Sequence, residues 1–536
     1  MTTSPQIPCP TPPPPRRGVR AWIPITILIL ATAGIVSIRC SGSTEETFRN
    51  MRSVVTGGVA FLLLLVWFLL LSRLRWQTRL GGLCILVLGV FALGKVVRID
   101  GTYSGGAMPR LAWRWTPPRG ADLTEITTAR SVAATPVALP AFDSPSYLGA
   151  DHIGVIKGLN LETNWAAHKP VELWRRKVGL GWSSFAVVGS RAITLEQRGD
   201  EELVACYELV TGNVLWSHAN QVRFHESMGG DGPRSTPTIA GGQVYSEGAT
   251  GILDCLDLAT GKLIWSRDTL KENNAPNPTW GKSCSPLLVD DLVVVTGGFS
   301  DNGPALLAYK RSDGAPVWRA GTGKASYVTP MLVTLAGRRQ ILAVNAATVT
   351  GHDPGDGRIL WSYTWMNDHF PKCAEPLVLD GDRVFLSADY GFGCVMLRLS
   401  ADPGGALAVT ELWKARTLKS QLSNMIARDG CIYGLDDGRL ACIDAATGAG
   451  KWRDERALDQ RYGHGQVLLA GDVFLIQSER GPVALVEASP SGLHELTAWP
   501  ALSSKTWNLP AIAGEYLLVR NDLEAVCYRL PMRAAR

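Results

Sequence analysis

The chain has no adjacent cysteines, although 11 cysteines occur among its 536 residues. It also has no zinc-type Cys/His spacing, no phosphate-binding glycine loop and no nucleophile elbow, so the usual zinc, nucleotide and serine-hydrolase sites are excluded. Charged residues make up only 19% of the chain, its net charge is +5, and it has no basic run. Nucleic acid is therefore not an expected partner.

Instead, the chain has a repeat that ends in tryptophan. Eight tryptophans, from Trp174 to Trp499, end apolar strands at intervals of 39 to 53 residues. The clearest copies, an apolar strand, a turn with Gly and a second strand ending in Trp, are residues 206–216, 255–265, 308–318 and 442–452. Such hairpins at ~40–50-residue spacing are typical of propeller blades. We predict an all-β fold, an eight-bladed β-propeller of four-stranded blades over residues 165–536.

The ends of the repeat predict how the ring closes. The last unit, which follows Trp499, lacks an outer strand, whereas the strand ending at Trp174 has no blade before it. We expect the N-terminal strand to complete the last blade, since closure removes the open sheet edges that promote aggregation. Cys206, Cys255 and Cys442, together with Cys527, share one strand register in different blades. They are predicted to be buried and unpaired, because equivalent strands lie beyond disulfide reach.

Three apolar runs precede the propeller, at residues 21–38, 54–71 and 80–97. Each would be about 27 Å long as a helix, the short end of a bilayer crossing. A buried core helix is the alternative for the second and third runs, and a signal peptide for the first, although no small-residue cleavage site follows it. We predict a membrane anchor over residues 21–98, a disordered Pro-rich N-terminus over 1–20 and a linker over 99–164.

The repeat resembles a known family. The phrase Leu-Asp-Leu-Ala-Thr-Gly-Lys-Leu-Ile-Trp, residues 256–265, is similar to the repeat of the quinoprotein (pyrroloquinoline quinone, PQQ) alcohol-dehydrogenase-like β-propellers, and the resemblance covers roughly residues 165–536. The phrases at 181–185 and 230–238 resemble a bacterial PQQ-binding-like repeat subfamily whose function is not established. The superfamily includes PQQ dehydrogenases and non-enzymatic members, such as the propeller lipoprotein of the outer-membrane barrel assembly machine, so the resemblance implies the fold more strongly than an activity.

The resemblance also bears on cofactor and location. PQQ alcohol dehydrogenases of this fold commonly carry a disulfide of adjacent cysteines on the quinone, and none is possible here. No cofactor is therefore assigned, and PQQ with calcium stays an alternative. Arginines flank both sides of the helices almost equally, so they decide little about orientation. The resembling families work outside the cytoplasm. We therefore expect a multi-pass protein of the bacterial inner membrane with a periplasmic propeller.

Candidate ligand-binding residues lie in the loops before the innermost strands. Seven of these loops carry a basic residue, and together these would form a cationic funnel for an anionic small molecule or acidic protein segment. Ordinary solvated loop charges are the alternative. Aromatic and polar neighbours could stack on or contact a ligand, or could instead have structural roles. The basic residues are Arg234, Lys282, Lys324, Lys372, Lys419, Arg461 and Lys505, and the neighbours are Trp280, His464, Trp507 and Asn508.

Three functions remain open at this stage. The favoured hypothesis is a membrane-anchored binding module for a ligand or a protein partner. The alternatives are a PQQ-dependent membrane dehydrogenase and a scaffold for envelope assembly. A dehydrogenase would need calcium ligands and a carboxylate base. Oxygen ligands are available, but no spacing selects a set, so no catalytic or metal-binding residue is predicted; they are Glu226, Asp231, Asp368, Glu375 and Asn508.

Overall fold

The computed structural model describes residues 19–41, 45–123, 139–365 and 371–533. The segment predicted to be disordered, residues 1–20, lies outside these ranges except for residues 19 and 20. The candidate calcium ligand Asp368 also lies outside them. The chain forms two compact units, one of residues 1–98 with 113–115 and one of residues 99–112 with 116–536.

The first unit consists of three helices. Helix α1 is Trp22–Cys40, α2 is Glu46–Val66 and continues as a π-helical turn over Trp67–Leu71, and α3 is Trp76–Val96. All three are long and apolar enough to cross a membrane. Helix α2 begins eight residues before the predicted start at 54, because its first two turns are polar and did not belong to the apolar run.

The strands that precede the repeat belong mostly to the second unit. Strand β1 (Val97–Thr102) and β2 (Pro109–Trp113) form a two-stranded ribbon. They are followed by β3 (Val155–Ile156) and β4 (Val171–Lys177). Two short 3-10 helices lie later in the unit, at Lys271–Asn273 and Leu458–Gln460.

Eight sheets make up the propeller, numbered here as blades 1 to 8 in chain order. Blade 1 consists of β5 (Ala186–Val188), β6 (Arg191–Arg198), β7 (Glu201–Glu208) and β8 (Val214–Asn220), and blade 2 of β9 (Thr238–Ala240), β10 (Gln243–Glu247), β11 (Ile252–Asp257) and β12 (Leu263–Asp268). Blade 3 consists of β13 (Leu287–Val289), β14 (Leu292–Thr296), β15 (Leu306–Lys310) and β16 (Pro316–Ala320), and blade 4 of β17 (Met331–Leu335), β18 (Arg338–Val344), β19 (Thr348–His352) and β20 (Ile359–Thr364).

Blade 5 consists of β21 (Leu377–Leu379), β22 (Arg383–Ala388), β23 (Gly393–Ala401) and β24 (Leu407–Ala415), and blade 6 of β25 (Ile426–Arg428), β26 (Cys431–Asp436), β27 (Arg439–Asp444) and β28 (Gly450–Arg453). Blade 7 consists of β29 (Gln466–Ala470), β30 (Val473–Gln477), β31 (Val483–Glu487) and β32 (Glu495–Trp499). Blade 8 consists of β33 (Ala511–Ala513), β34 (Tyr516–Arg520) and β35 (Glu524–Arg529), and β4 completes it. The short first strands of neighbouring blades contact one another, as expected for strands around a central axis.

The predicted eight-bladed fold and its closure are confirmed. Strand β4 pairs antiparallel with β35, and Trp174 lies opposite Cys527 in that ladder. The N-terminal strand therefore supplies the outer strand that the last repeat lacks. Blade 7 also gains a fifth strand, because β3 pairs in parallel with β29.

The repeated tryptophan joins neighbouring blades. Cys206 lies opposite Trp216, and the ladder register shifts immediately after Cys206. The Trp216 indole covers the turn glycine Gly261 of the next blade, which adopts a φ of +71° and leaves no room for a side chain. The repeated cysteines are buried and free, as predicted: Cys206, Cys255, Cys442 and Cys527.

The predicted linker over residues 99–164 contributes to the propeller body. Leu148, Leu159 and Leu161 are buried in one apolar cluster with side chains of blades 7 and 8. Ser144 forms a bridge to Val187 in blade 1. The sequence did not predict this packing, because the segment has neither the repeat nor a strand-like alternation. Residues 124–138 of the linker lie outside the described ranges.

Candidate functional site

A chain of hydrogen bonds connects the blades at the point where the innermost strands begin. In each of four neighbouring pairs, a backbone N–H donates to the equivalent side chain of the next blade. Ser184 donates to Thr236 Oγ1 (3.2 Å), Thr236 to Ser285 Oγ (3.0 Å), Ser285 to Thr329 Oγ1 (3.2 Å), and Thr329 to Glu375 Oε1 (2.9 Å). This register therefore brings one polar side chain per blade to the axis.

Glu375 is the exception in this series, because a carboxyl group stands where the three preceding blades have a hydroxyl group. Oε1 accepts the hydrogen bond from Thr329, whereas Oε2 has no hydrogen-bond partner among the described residues. The residue is only 4% exposed. Burial raises the pKa of Glu375 to about 8. A buried carboxyl group with one unsatisfied oxygen is a candidate functional group.

Glu375 lines a central cavity of about 300 Å³ inside the propeller. The wall is largely aromatic, and small polar side chains of the hydrogen-bond series complete it. Among the described residues, Glu375 is the one acidic side chain in the lining. Aromatic residues of the lining are Tyr147, Trp182, Trp280, Tyr327, Tyr390 and Trp507.

The loop between β1 and β2 also lines the central cavity. Its tip is held by the propeller: the Gly105 N–H donates to Glu479 Oε1 (2.6 Å), and Gln421 Nε2 donates to the Gly105 carbonyl oxygen (3.2 Å). Gly105 packs against the His464 ring, where a side chain would clash. The loop therefore approaches the propeller with its backbone at Gly105, and Thr102, Ser104 and Ala107 on either side also line the cavity.

Lys282 does not point toward the cavity. Its Nζ lies 2.8 Å from Glu247 Oε1, and both side chains are at most 1% exposed. It also donates to the carbonyl oxygen of Thr296. The sequence predicted a charge in the funnel or in solvent, but the structure buries Lys282, which precedes blade 3, in an ion pair with Glu247 of blade 2.

The other basic residues of the predicted ring are also bound to nearby groups. Lys324 pairs with Asp301 (3.2 Å), and Lys419 pairs with Asp436 (3.5 Å). Arg461 donates to the carbonyl oxygen of Arg456 (2.8 Å), and Lys372 is buried. Of the seven predicted basic residues, Arg234 is the one that lines the cavity in the part of the chain described. The seven therefore do not converge on this cavity.

Lys505 lies between two tryptophans at the cavity rim. Its Nζ is 3.9 Å from the Trp507 ring centroid and 5.0 Å from that of Trp182, and the two indoles contact each other. Burial lowers the pKa of Lys505 to about 8. This is a cation–π arrangement, in which the aromatic faces replace part of the solvent around the ammonium group.

Arg234 and Trp280 also line the cavity, from the loops that precede the first strands of blades 2 and 3. The Arg234 guanidinium donates to the Gly230 carbonyl oxygen (2.8 Å) and lies 4.5 Å from the Phe224 ring centroid. Burial lowers the pKa of Arg234 to about 10, although Glu226 opposes that shift. Trp280 packs edge-on against Tyr327, with 5.7 Å between centroids.

His464 and Asn508, both predicted to contact a ligand, are buried and are not among the residues that line the cavity. Asn508 Nδ2 donates to the Ser183 carbonyl oxygen (2.7 Å) and connects blade 8 to blade 1. His464 Nε2 has no hydrogen-bond partner among the described residues. Both residues therefore have a structural role in the protein interior, next to residues of the cavity wall.

The sequence missed Gln421 and Gln466, which line the cavity from blades 6 and 7. Gln466 is the first residue of β29, and an alignment of the blades on their tryptophans would have placed it near the axis. It also missed Tyr147, which lies in the predicted linker and enters the lining from outside the repeat. No local pattern predicts that residue.

Comparisons with known proteins agree with the repeat. A family model described as outer membrane protein assembly factor BamB matches residues 170–281 and 200–454, together more than half of the chain. BamB of Xanthomonas campestris pv. campestris is 31% identical over 140 residues, 26% of this chain and 32% of that protein. The chain thus spans about a third of the length of this curated relative.

Solved structures show the same fold. The quinohemoprotein alcohol dehydrogenase of Comamonas testosteroni has a TM-score of 0.52 and 13% identity, over 73% of this chain and 81% of that one. A europium-containing methanol dehydrogenase has a TM-score of 0.53 and 14% identity, over 72% and 90%. The resemblance to quinoprotein-type propellers is confirmed as a likeness of fold. From the extent of the family match, the chain belongs to the family described as outer membrane protein assembly factor BamB.

Proposed function

We propose that the protein is a membrane-anchored binding module whose propeller holds a small organic ligand in the central cavity. One observation carries this proposal: a cavity of about 300 Å³ combines aromatic walls with a buried, unsatisfied carboxyl oxygen. Ligand sites in proteins are typically concave and mostly apolar, with a few polar groups that fix orientation. Of the predicted ligand-binding residues, Arg234, Trp280 and Trp507 belong to the cavity lining, and Lys505 lies against Trp507.

The cationic funnel is not part of this proposal. An anion would need basic side chains that are available to it. Lys282, Lys324 and Lys419 are instead each paired with a carboxylate of this protein. Ion pairs of this kind reduce the positive potential at the axis. The ligand is therefore expected to be recognised mainly by aromatic contacts and by hydrogen bonds to the wall.

A ligand screen with the full chain in detergent tests the proposal. Compounds of different charge, each with an aromatic or alicyclic body, are compared by the shift they cause in the thermal unfolding midpoint. At least one class is expected to raise the midpoint in the wild type but not in Trp280→Ala or Trp507→Ala. Trp115→Ala, at an exposed position outside the cavity, is the control and keeps the shift. A screen without any Trp280-dependent ligand contradicts the proposal.

We also propose that the helices anchor the protein in the bacterial inner membrane, with the propeller on the periplasmic side. The three apolar helices support an anchor, and the family match supports a place in the cell envelope. A phosphatase or a fluorescent protein fused after Arg536 reports the side. Phosphatase activity without fluorescence is the expected result, and the reverse pattern would place the propeller in the cytoplasm.

A scaffold role in envelope assembly is the second candidate, and the family match favours it. In that case the outer surface of the blades would bind a protein partner, and cavity variants would leave this partner bound. Cross-linking in cells followed by purification of the wild type and of Trp280→Ala separates the two roles. A partner retained equally by both proteins supports the scaffold.

PQQ with calcium fits the cavity poorly. PQQ carries several carboxylates, and the lining offers Arg234 as a basic group but also places Glu375 in the wall. Within the described residues, no cluster of three or more His, Cys, Asp or Glu side chains could hold a metal ion. Addition of PQQ and calcium to the full chain is expected to give neither the quinone absorbance on the protein nor dye reduction with alcohols or sugars.

A further inference from the structure

Three residues that line the central cavity, one from each of three consecutive blades, have a side-chain oxygen without a hydrogen-bond partner among the described residues. Glu375 Oε2 in blade 5, Gln421 Oε1 in blade 6 and Gln466 Oε1 in blade 7 are buried and have no hydrogen-bond donor among the described residues. Unsatisfied buried polar atoms are uncommon in folded proteins, and each normally has a protein or water partner. Two amide oxygens that can only accept, in the same cavity as a carboxyl group that can lose its proton, indicate an occupant that donates hydrogen bonds.

The neighbours of the two glutamines identify the unsatisfied atoms as oxygens. Gln466 Nε2 donates to the carbonyl oxygens of Leu422 and Trp507, both at 3.0 Å. Gln421 Nε2 donates to the Gly105 carbonyl oxygen at 3.2 Å and to the Tyr390 hydroxyl at 2.8 Å. A carbonyl oxygen can only accept, so flipping either amide would place two acceptors against each other. The orientation is therefore fixed by the backbone.

Among the described residues, no basic group pairs with Glu375. The titratable groups that face it are the Tyr147 hydroxyl and the thiols of Cys284 and Cys373. Buried carboxylates are normally paired with a cation or stay protonated. A cationic ligand would therefore supply the counter-ion that the protein does not.

Arg234, the basic residue in the lining, does not fill that role. Its guanidinium donates to the carbonyl oxygens of Gly230 and Gly232 and covers the Phe224 ring. The negative charges that act on it are Glu226, Asp231 and Glu202 rather than Glu375. The cavity lining also presents the aromatic rings of Tyr327 and Trp280, and the faces of such rings attract cations.

From this geometry we infer, on the basis of the proposed ligand-binding function, that the cavity binds a small organic molecule with a primary ammonium group. The ammonium pairs with Glu375 Oε2, and the remaining N–H or O–H donors of the ligand bind the amide oxygens of Gln421 and Gln466. The apolar body of the ligand packs against Trp280 and Tyr327. The inferred ligand is therefore a cation, whereas the cationic funnel predicted from the sequence would bind an anion.

Matched probes test the inference. Three primary amines, 2-phenylethylamine, cyclohexylmethylamine and butylamine, are compared with the alcohols of the same carbon skeleton, using tryptophan fluorescence and calorimetry of the full chain in detergent at neutral pH. At least one amine is expected to bind at least ~10-fold more tightly than its alcohol, because a charge-assisted hydrogen bond replaces a neutral one. In Glu375→Gln the two members of that pair are expected to bind within about twofold of each other.

Two further variants separate recognition from folding. Glu375→Thr installs the residue type that blades 2 and 4 use at this position, so the hydrogen bond from Thr329 is kept while the carboxyl group is lost. It is expected to fold and to lose the amine preference. Glu411→Gln removes a carboxyl group from the outermost strand of the same blade, where it accepts from Tyr363 (2.6 Å), and should keep the preference.

Calorimetry gives an independent reading. At neutral pH an amine that ionises Glu375 displaces its proton, so the measured enthalpy depends on the ionisation enthalpy of the buffer in the wild type and not in Glu375→Gln. The inference is overturned if every alcohol binds as tightly as its amine, if Glu375→Gln keeps the preference, or if no amine binds. In the last case the three oxygens hold only water, and a Trp280-dependent ligand of another class in the screen would still support the proposed function.

Discussion

The indole N–H of Trp216 donates a hydrogen bond to the carbonyl oxygen of Leu258, 3.0 Å away in the next blade. The same ring covers Gly261, three residues further along that turn. The bond recurs around the ring, from Trp174 to Leu209 (2.8 Å) and from Trp265 to Arg311 (2.9 Å). Five of the eight repeated tryptophans therefore connect their blade to the following one by this bond. The Trp361 indole instead donates to Gln340 of its own blade, and the indoles of Trp413 and Trp499 have no hydrogen-bond partner among the described residues.

Gly261→Ala is expected to destabilise the propeller more than Gly337→Ala. Both glycines have a φ of +71°, but a side chain at 261 would meet the Trp216 ring, whereas none of the surrounding atoms lies near position 337. The shared backbone penalty is about 1 kcal/mol, and the collision at 261 adds roughly 1–3 kcal/mol to the loss. Urea denaturation of the two variants measures the difference. Equal losses would show that the Trp contact contributes little.

Lys282→Ala is expected to lower the free energy of unfolding by about 3–5 kcal/mol, because it leaves Glu247 buried without its partner. Lys282→Met combined with Glu247→Leu should recover most of the loss, since both charges are then removed. Urea denaturation of the single and double variants gives the coupling energy. Ligand affinity of the double variant should match the wild type. If the double variant lost much of its ligand affinity while its free energy of unfolding stayed unchanged, Lys282 would have a role in ligand binding.

Glu375 is expected to make stability depend on pH. Burial raises its pKa to about 8, above the ~4.3 of an unfolded chain, so the folded state binds this proton more tightly. The contribution of the group is fully present below about pH 4.3 and is lost as the pH rises to about 8, with a slope of at most ~1.4 kcal/mol per pH unit.

The comparison with Glu375→Gln isolates this effect from that of Glu202, whose pKa burial raises to about 7. The unfolding free energy of Glu375→Gln relative to the wild type should increase between about pH 5 and 8 and stay constant above. Urea denaturation across that range measures it. Parallel curves for the two proteins would mean that Glu375 has an ordinary pKa.

Gly105→Ala is expected to release the loop between β1 and β2 from the cavity, because its side chain would meet the His464 ring. Hydrogen exchange at the Gly105 amide, which donates to Glu479, should become faster. His464→Ala combined with Gly105→Ala restores the space and should slow the exchange again. Fast exchange in the wild type already would contradict a held loop.

Much of the fold could be predicted because the repeat is local. A strand, a glycine turn and a strand ending in Trp216 occupy 11 adjacent residues. Clear copies of this unit and the spacing of eight tryptophans specify the ring. The packing of Leu148 and the loop at Gly105 could not be predicted, because both depend on contacts with residues hundreds of positions away in the chain. The direction in which a loop side chain points could not be predicted from the sequence either, and Lys282 is the clearest example.

The sequence by itself determined the eight blades, their closure by the strand that contains Trp174, and the apolar helices, because periodicity and hydrophobicity are properties of neighbouring residues. Only the tertiary structure decided which polar groups meet at the axis. It directed Lys282 into a buried ion pair with Glu247 of the neighbouring blade and brought Glu375, Gln421 and Gln466 to one cavity. The reason is that the charge of a site depends on which side chains the folded backbone turns inward, and a one-dimensional pattern does not contain that direction.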